Sequence, residues 1–124
     1  MVQHIRLGFL THLQGSKDPA SLFRDTIETF KVAESLGFST GWIAQHHLES
    51  GRGEPGAAAA PLILLASIAE NTQSIHLGTA IITIPLESTL RLVEDATTLD
   101  LISKNRLELG IGSGYDERSF RAIG

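Results

Sequence analysis

Two histidines stand side by side at His46-His47, and imidazole is the side chain that gives and takes protons near neutral pH. Neighbouring residues on a strand point to opposite faces, so the pair is a poor chelate for one metal ion. One ring can face a site while the other packs outward; two hydrogen-bonded structural histidines are the plainer reading. A second group, Gly110-Ile111-Gly112-Ser113-Gly114, follows an apolar run and precedes a helix start, where backbone N–H groups can cradle a phosphate. It is not a dinucleotide fingerprint, because Tyr115 stands where G-x-G-x-x-G needs its third glycine. These glycines equally suit a flat ring lying against the backbone, or a strand that simply ends. Thr79-Ala80-Ile81 is the third group, a small apolar segment that fits the face of an aromatic cofactor or ordinary core. The carboxylates offer less. Glu94, Asp95 and Asp100 fall in one helical stretch, where capping, pairing or solvent exposure accounts for them. Asp116 and Glu117 open another, where the macrodipole favours acids. Trp42 reads as core.

These groups need elements to hold them, and the chain repeats one unit almost four times. Ile5 to Thr11 is short and apolar-rich, the mark of a strand. Asp18-Pro19 then signals a helix start, with Asp18 as cap and Pro19 at the first helical position. Phe23, Ile27, Phe30 and Ala33 recur on one helical face, and Gly37 ends that helix. Thr40 to His46 is the second strand, and a Gly-rich loop over residues 49–56 leads to a helix over Pro61 to Asn71. That helix is apolar nearly all round, which predicts deep packing. Ile75 to Ile84 is β-branched on both faces, as in a parallel sheet under helices. A third helix spans Ser88 to Ser103, with Ser88 as cap and Leu92, Ala96 and Leu99 inward. Arg106 to Ile111 is the fourth strand, and a fourth helix begins after Tyr115. The order βαβαβαβ implies parallel strands with right-handed crossovers.

Composition sets the class. The chain has 124 residues, 42% hydrophobic and 19% charged, in the range of one soluble globular domain. A net charge of −4 gives no basic surface for nucleic acid or anionic membrane. With no cysteine, disulfides, thiolate metal sites and cysteine nucleophiles are excluded. The first residues lack a signal-peptide pattern and no apolar run approaches a bilayer span, so the expected setting is cytoplasmic.

Two architectures share this element order, an open doubly wound sheet and half of a (β/α)8 barrel. Alternation favours the barrel. Arg6, Gly8 and Leu10 share one side of the first strand, and Glu108, Gly110 and Gly112 one side of the fourth; the opposite sides are apolar. Small and charged sides suit a barrel interior, whereas an open sheet wants both faces apolar. In either architecture ligands bind where strands end. That points to Thr11-His12, Gln45-His46-His47, Thr79-Ala80-Ile81 and Gly112-Ser113-Gly114.

Five stretches, in order, resemble the bacterial-luciferase-like flavin-dependent monooxygenases. They are ESLGFSTGWIAQHH from Glu34 to His47 with Ala60-Pro61, TQSIHLGTAIITIP from Thr72 to Pro85, and RLVED from Arg91 to Asp95. Leu99-Asp100 with SKNR to Arg106, and LGIGSG from Leu109 to Gly114 with the closing SFRAIG, complete them. The resemblance implies a (β/α)8 barrel that uses reduced FMN, or the deazaflavin coenzyme F420 in one branch. With dioxygen it would insert one oxygen atom into a small organic substrate. It makes His46 the active-site histidine. Thr79, Ala80 and Ile81 would meet the flavin, Ala80-Ile81 at a strand end that carries a non-proline cis peptide in relatives. Gly112 and Ser113 would lie beside the flavin and its phosphate. The chain departs from many relatives at Gln45, where they carry Glu, and from the luciferase catalytic subunit at Gly112 and Ser113, where it carries Cys and Arg.

The stretches cover only the N-terminal half of such a barrel, so residues 1–124 are expected to form one partial domain, a truncated piece inactive alone. Open sheet edges and an apolar concave face would drive self-association. A half-barrel that binds flavin or a partner without turnover is the alternative. An open nucleotide-binding α/β domain fits less well, since its Gly-rich turn should follow the first strand.

Overall fold

The computed structural model describes residues 5–14, 18–48 and 60–123. Along them run β1 (Gly8–Thr11), α1 (Pro19–Ser35), β2 (Thr40–Ile43), α2 (Pro61–Asn71), β3 (His76–Thr79) and β4 (Ile82–Thr83). A 3-10 turn at Ile84–Leu86 leads to α3 (Thr89–Ile102), β5 (Leu107–Glu108), β6 (Ile111–Gly112) and α4 (Glu117–Ile123). The sheet β1-β2-β3-β5 is parallel, with Gly8, Thr40 and His76 in register, and Gly41, Leu77 and Leu107 likewise. Each strand lies beside the one before it. Right-handed crossovers that always step the same way put every helix on one face, whereas a doubly wound sheet reverses direction at a switch point. This sheet is therefore a segment of (β/α)8 barrel wall, helices outside and a concave face within.

The core sits between helices and sheet. Phe30 and Ala33 of α1, Leu65, Ile68 and Ala69 of α2, and Leu99 of α3 close over Ile43 and Leu77. Phe9 meets the rings of Phe30 and Phe38 edge-on, at 4.9 and 6.1 Å. α1 starts as its sequence dictates, with Asp18 accepting from the Ser21 N–H at 3.1 Å and Pro19 in the first turn. It ends at Gly37, whose φ of 84° favours glycine.

Several expectations need correction. Ser88 occupies the N-cap of α3 but makes no side-chain cap bond. α2 is not buried all round, for Ile63 is 76% exposed. Trp42 lies on the concave face, not in the helix-side core, and its ring occupies the space where a Cβ on Gly78 would stand. The strands are shorter than their apolar runs. β2 stops at Ile43 because its neighbours stop at Thr11 and Thr79; beyond it the Ala44 N–H still bonds the Thr11 carbonyl at 3.0 Å, and residues 45 and 46 have no paired strand among the described residues. The run from Ile75 to Ile84 breaks at the cis Ala80–Ile81 peptide, after which Ile82 and Thr83 pair with Ile111 and Gly112. The fourth strand divides in the same way, β5 pairing with β3 and β6 with β4. The Gly-rich loop at 49–56 lies outside the described residues.

A polar clamp, buried at Arg106, holds the end of the sheet where the strands begin. Arg106 donates to the carbonyls of Ser103, Ala69, Thr72 and Ile75 and to the Thr72 hydroxyl, at 2.6 to 3.3 Å. Glu34 Oε1 accepts from the N–H groups of Gln73, Ser74 and Ile75 at 2.9, 2.5 and 2.9 Å. In barrels this end carries stability and the opposite end carries chemistry. No helix among the described residues is long and apolar enough to cross a membrane.

Candidate functional site

A cavity of about 830 Å³ opens where the strands end, a volume in the range of small-molecule sites. Four segments wall it: His12 and Gln14 after β1, Ala44 to Leu48 after β2, Ala80, Ile81 and Thr83 around β4, and Gly112 to Asp116 leading into α4. Of the residues singled out from sequence, His46, Ala80, Ile81, Gly112 and Ser113 all reach this cavity. Thr79 does not. It is fully buried, and its hydroxyl both donates to the Gly110 carbonyl and accepts from the Gly110 N–H, each at 2.9 Å.

His46 and His47 line the same cavity, against the expectation of opposite faces. Strand alternation no longer applies to them, because β2 has already ended at Ile43. His46 Nε2 lies 3.1 Å from His12 Nδ1, the rings 23° from parallel. Burial holds the His46 pKa below the ordinary imidazole range, helped by the neighbouring His12 and His47 and opposed by Asp116. His46 is thus a neutral imidazole at neutral pH, able to give one proton and accept another. His47 Nε2 is buried without a hydrogen-bond partner, the one such side-chain atom among the described residues.

Gln45 has the opposite character. Its Oε1 accepts from the Thr83 N–H at 2.8 Å and its Nε2 donates to Glu87 Oε1 at 2.9 Å. Only an amide does both, and a carboxylate in its place would face Glu87 with like charge. The departure at Gln45 is thereby explained as a tie between the end of β2, β4 and the turn beyond it.

The Ala80–Ile81 peptide is cis and stands at the strand end where the resemblance located such a bond. Ile81 folds over Gly112, so a Cβ there would come within 2.9 Å of Ile81 Cδ1. The glycine thus makes room for Ile81, and Ala80 and Ile81 present a small apolar surface to the cavity. Two further residues escaped the sequence reading. Spacing marks His12 only as a strand end; the pairing of Thr11 with Ile43 places the segments beyond them together. Asp116 was assigned to the helix dipole. It does cap α4, accepting from the Ser119 hydroxyl at 2.6 Å, a bond that holds its carboxyl below the usual range against some burial. It also lines the cavity and acts on His46. No group of histidines and carboxylates able to hold a metal ion occurs among the described residues.

Residues 5–124 match the sequence model of the luciferase-like monooxygenases. The alkanal monooxygenase alpha chain of the Kryptophanaron alfredi symbiont is 30% identical over 115 residues, which are 93% of this chain and 31% of that protein. The structure of apo-MsnO8 superposes with a TM-score of 0.85 at 31% identity, over 97% of this chain and 36% of the other. The FMN complex of the oxygenating constituent of Pseudomonas putida 3,6-diketocamphane monooxygenase shares the fold, with a TM-score of 0.86 at 21% identity. It covers 98% of this chain and 33% of the other. The coenzyme F420-dependent tetrahydromethanopterin reductase of Methanopyrus kandleri gives 0.73 at 25% identity, over 98% and 30%. The chain spans about 30% of the length of the curated relatives it matches. By sequence and by fold, this chain belongs to the luciferase-like monooxygenase family.

Proposed function

We propose that these residues form the flavin-facing wall of a luciferase-like flavin-dependent monooxygenase, which places one oxygen atom of O2 in a small organic substrate. FMN is the cofactor we favour and coenzyme F420 the alternative; the neighbours that carry the one and depend on the other support that choice. The observation that carries the reading is the convergence of His46, Ala80-Ile81 and Gly112-Ser113 on one cavity at the strand ends. The donor set fits a flavin. Ala80 and Ile81 offer a flat ring an apolar surface. Gly112 and Ser113 bring backbone N–H groups and a hydroxyl for a polar tail. A bound reduced flavin supplies the electrons that activate dioxygen. The protein's part is to bind and orient the ring, and to hold or move a proton at His46.

The wall is one side of a site. In the main sheet β1 and β5 each have a single neighbour, so these strands do not by themselves enclose a substrate. Turnover is therefore assigned to a barrel with further strands, and the isolated chain is expected to be inactive and to self-associate. The same open edges favour a second reading, flavin binding without turnover.

Titrating oxidised and reduced FMN, and separately F420, into the protein tests the proposal by flavin fluorescence. Saturable binding is expected, weakened at least about tenfold, or ~1.4 kcal/mol, by Ala80→Trp. No binding of either cofactor, or binding indifferent to Ala80→Trp, would sink it. Oxygen uptake by the reduced complex above that of free flavin would assign turnover to this chain; its absence with binding intact favours the second reading.

A further inference from the structure

The function proposed above gives His46 a part and His12 none, although the two rings lie against each other. His12 Nδ1 and His46 Nε2 are 3.1 Å apart, with ring centroids at 5.4 Å and planes 23° from parallel. Two neutral imidazoles at that separation satisfy each other in one way: one nitrogen carries the proton and the other presents a lone pair. Two arrangements follow. With the proton on His12 Nδ1, His46 accepts at Nε2, and its own proton must sit on Nδ1, which is then a donor. With the proton on His46 Nε2, its Nδ1 is a lone pair and can accept.

We propose that His12 is a positioning residue for His46: the hydrogen bond between the two rings selects the neutral tautomer of His46, and with it whether His46 Nδ1 is a donor or an acceptor. The inference rests on the flavin-facing reading only for the identity of the molecule that meets Nδ1. Moving the shared proton alone would set an imidazolium against an imidazolate, so a change of arrangement also requires a proton lost from His46 Nδ1 and one gained at His12 Nε2, and the hydrogen bond holds whichever tautomer the pair adopts.

The surroundings keep the pair in this form. His12 comes from the segment after β1 and His47 from the end of β2, while Asp116 and Arg118 come from the start of α4. Gln45 occupies Glu87 on the far side. Protonating both rings would set two N–H groups against each other, and burial with the neighbouring His12 already disfavours a charged His46. Asp116 opposes that trend.

Long-range 1H–15N imidazole spectra of the labelled protein, recorded without flavin, test the proposal independently of whether flavin binds. In the unaltered protein His46 is expected to show one dominant neutral tautomer with a depressed titration midpoint. His12→Asn keeps an amide near the place of Nδ1 but removes the second ring that can carry charge. The His46 tautomer preference is then expected to persist while its protonation constant rises about threefold or more. His12→Phe keeps a stacked ring and removes the hydrogen bond, so His46 should relax to the tautomer mixture of free imidazole. A ring that served only to pack would change neither readout in His12→Asn. If the tautomer preference of His46 survives in His12→Phe, or if its midpoint is the same in the unaltered protein and in His12→Asn, the proposal is wrong; the second outcome decides the matter even if His12→Phe fails to fold. Failure of flavin binding with these spectra as expected would overturn the function proposed above and leave the role of His12 standing.

Discussion

At the scale of single residues, the site depends as much on missing side chains as on present ones. Gly110 and Gly112 both lie where strand four divides, yet they serve different neighbours. A Cβ on Gly110 would fall 2.0 Å from the Thr79 carbonyl oxygen, a backbone atom that cannot turn aside. A Cβ on Gly112 would meet the end of the Ile81 side chain, at 2.9 Å from Cδ1 and 3.1 Å from Cγ1. Ile81 can rotate, at the cost of pushing into the cavity. Gly110→Ala is therefore expected to cost about 3 kcal/mol or to prevent folding, as overpacking against rigid atoms does. Gly112→Ala should cost about 1 kcal/mol or less and weaken flavin binding instead. Urea unfolding midpoints and flavin titrations of the two variants decide the matter; equal loss of stability in both would show that Ile81 is as rigid as the backbone. Both roles were hidden in the sequence. The glycines were legible as a close approach, but which atom approaches depends on the pairing of β4 with β6, and no spacing rule announces that pairing.

At the scale of elements, the polar clamp at the strand starts joins helices to sheet through two charged side chains. Arg106 is buried and satisfies carbonyls of Ala69, Thr72, Ile75 and Ser103. Arg106→Leu leaves those oxygens without donors, and a loss of about 3–5 kcal/mol is expected. Arg106→Lys should recover only part of it, because one ammonium cannot span the planar fork. Glu34 adds a pH dependence with a definite sign. Burial pushes its carboxyl pKa up, but the hydrogen bonds from Ser74, Ile75 and Gln73 outweigh it and hold the value below the ordinary range. The stability Glu34 contributes is thus fully present above about pH 4.3 and is lost as pH falls through the lowered value. Unfolding midpoints measured across that window should fall less steeply in Glu34→Gln than in the unaltered protein; parallel curves would refute the linkage. Helices were legible to within a residue or two, since Asp18, Pro19, Gly37 and Pro61 mark their limits locally. Strand ends were not, because a strand stops where its partner stops. β2 ends at Ile43 for want of neighbours, although its own sequence stays compatible with a strand as far as His46. The same fact explains why both histidines reach one cavity and why His12 meets His46.

At the scale of the whole molecule, four parallel strands in sequence order make a curved wall whose concave face carries Leu10, 51% exposed, in register with Trp42. Across the wall, Ile111 is 52% exposed at the other end of the strand set. Among the described residues β1 and β5 each have one neighbour in the main sheet, so apolar surface and free backbone groups occur together. Such surfaces associate. Opposing this is a net charge of −4, a repulsion that acts between copies and is screened by salt. Concentration and salt are therefore expected to push the protein the same way. Sedimentation velocity should show a mass rising above 13.4 kDa between about 1 and 100 μM, and rising earlier at high salt. Trp42 is the single tryptophan, so its emission reports on the concave face directly. It should shift to shorter wavelength as the mass rises if that face is what becomes covered. Leu10→Lys places a charge beside Trp42 and should hold the protein monomeric to higher concentration, with little change in helix content. A mass that rises while Trp42 emission stays fixed would move the contact to the strand edges or the helix side. A mass that stays monomeric throughout would mean that the charge outweighs the exposed wall.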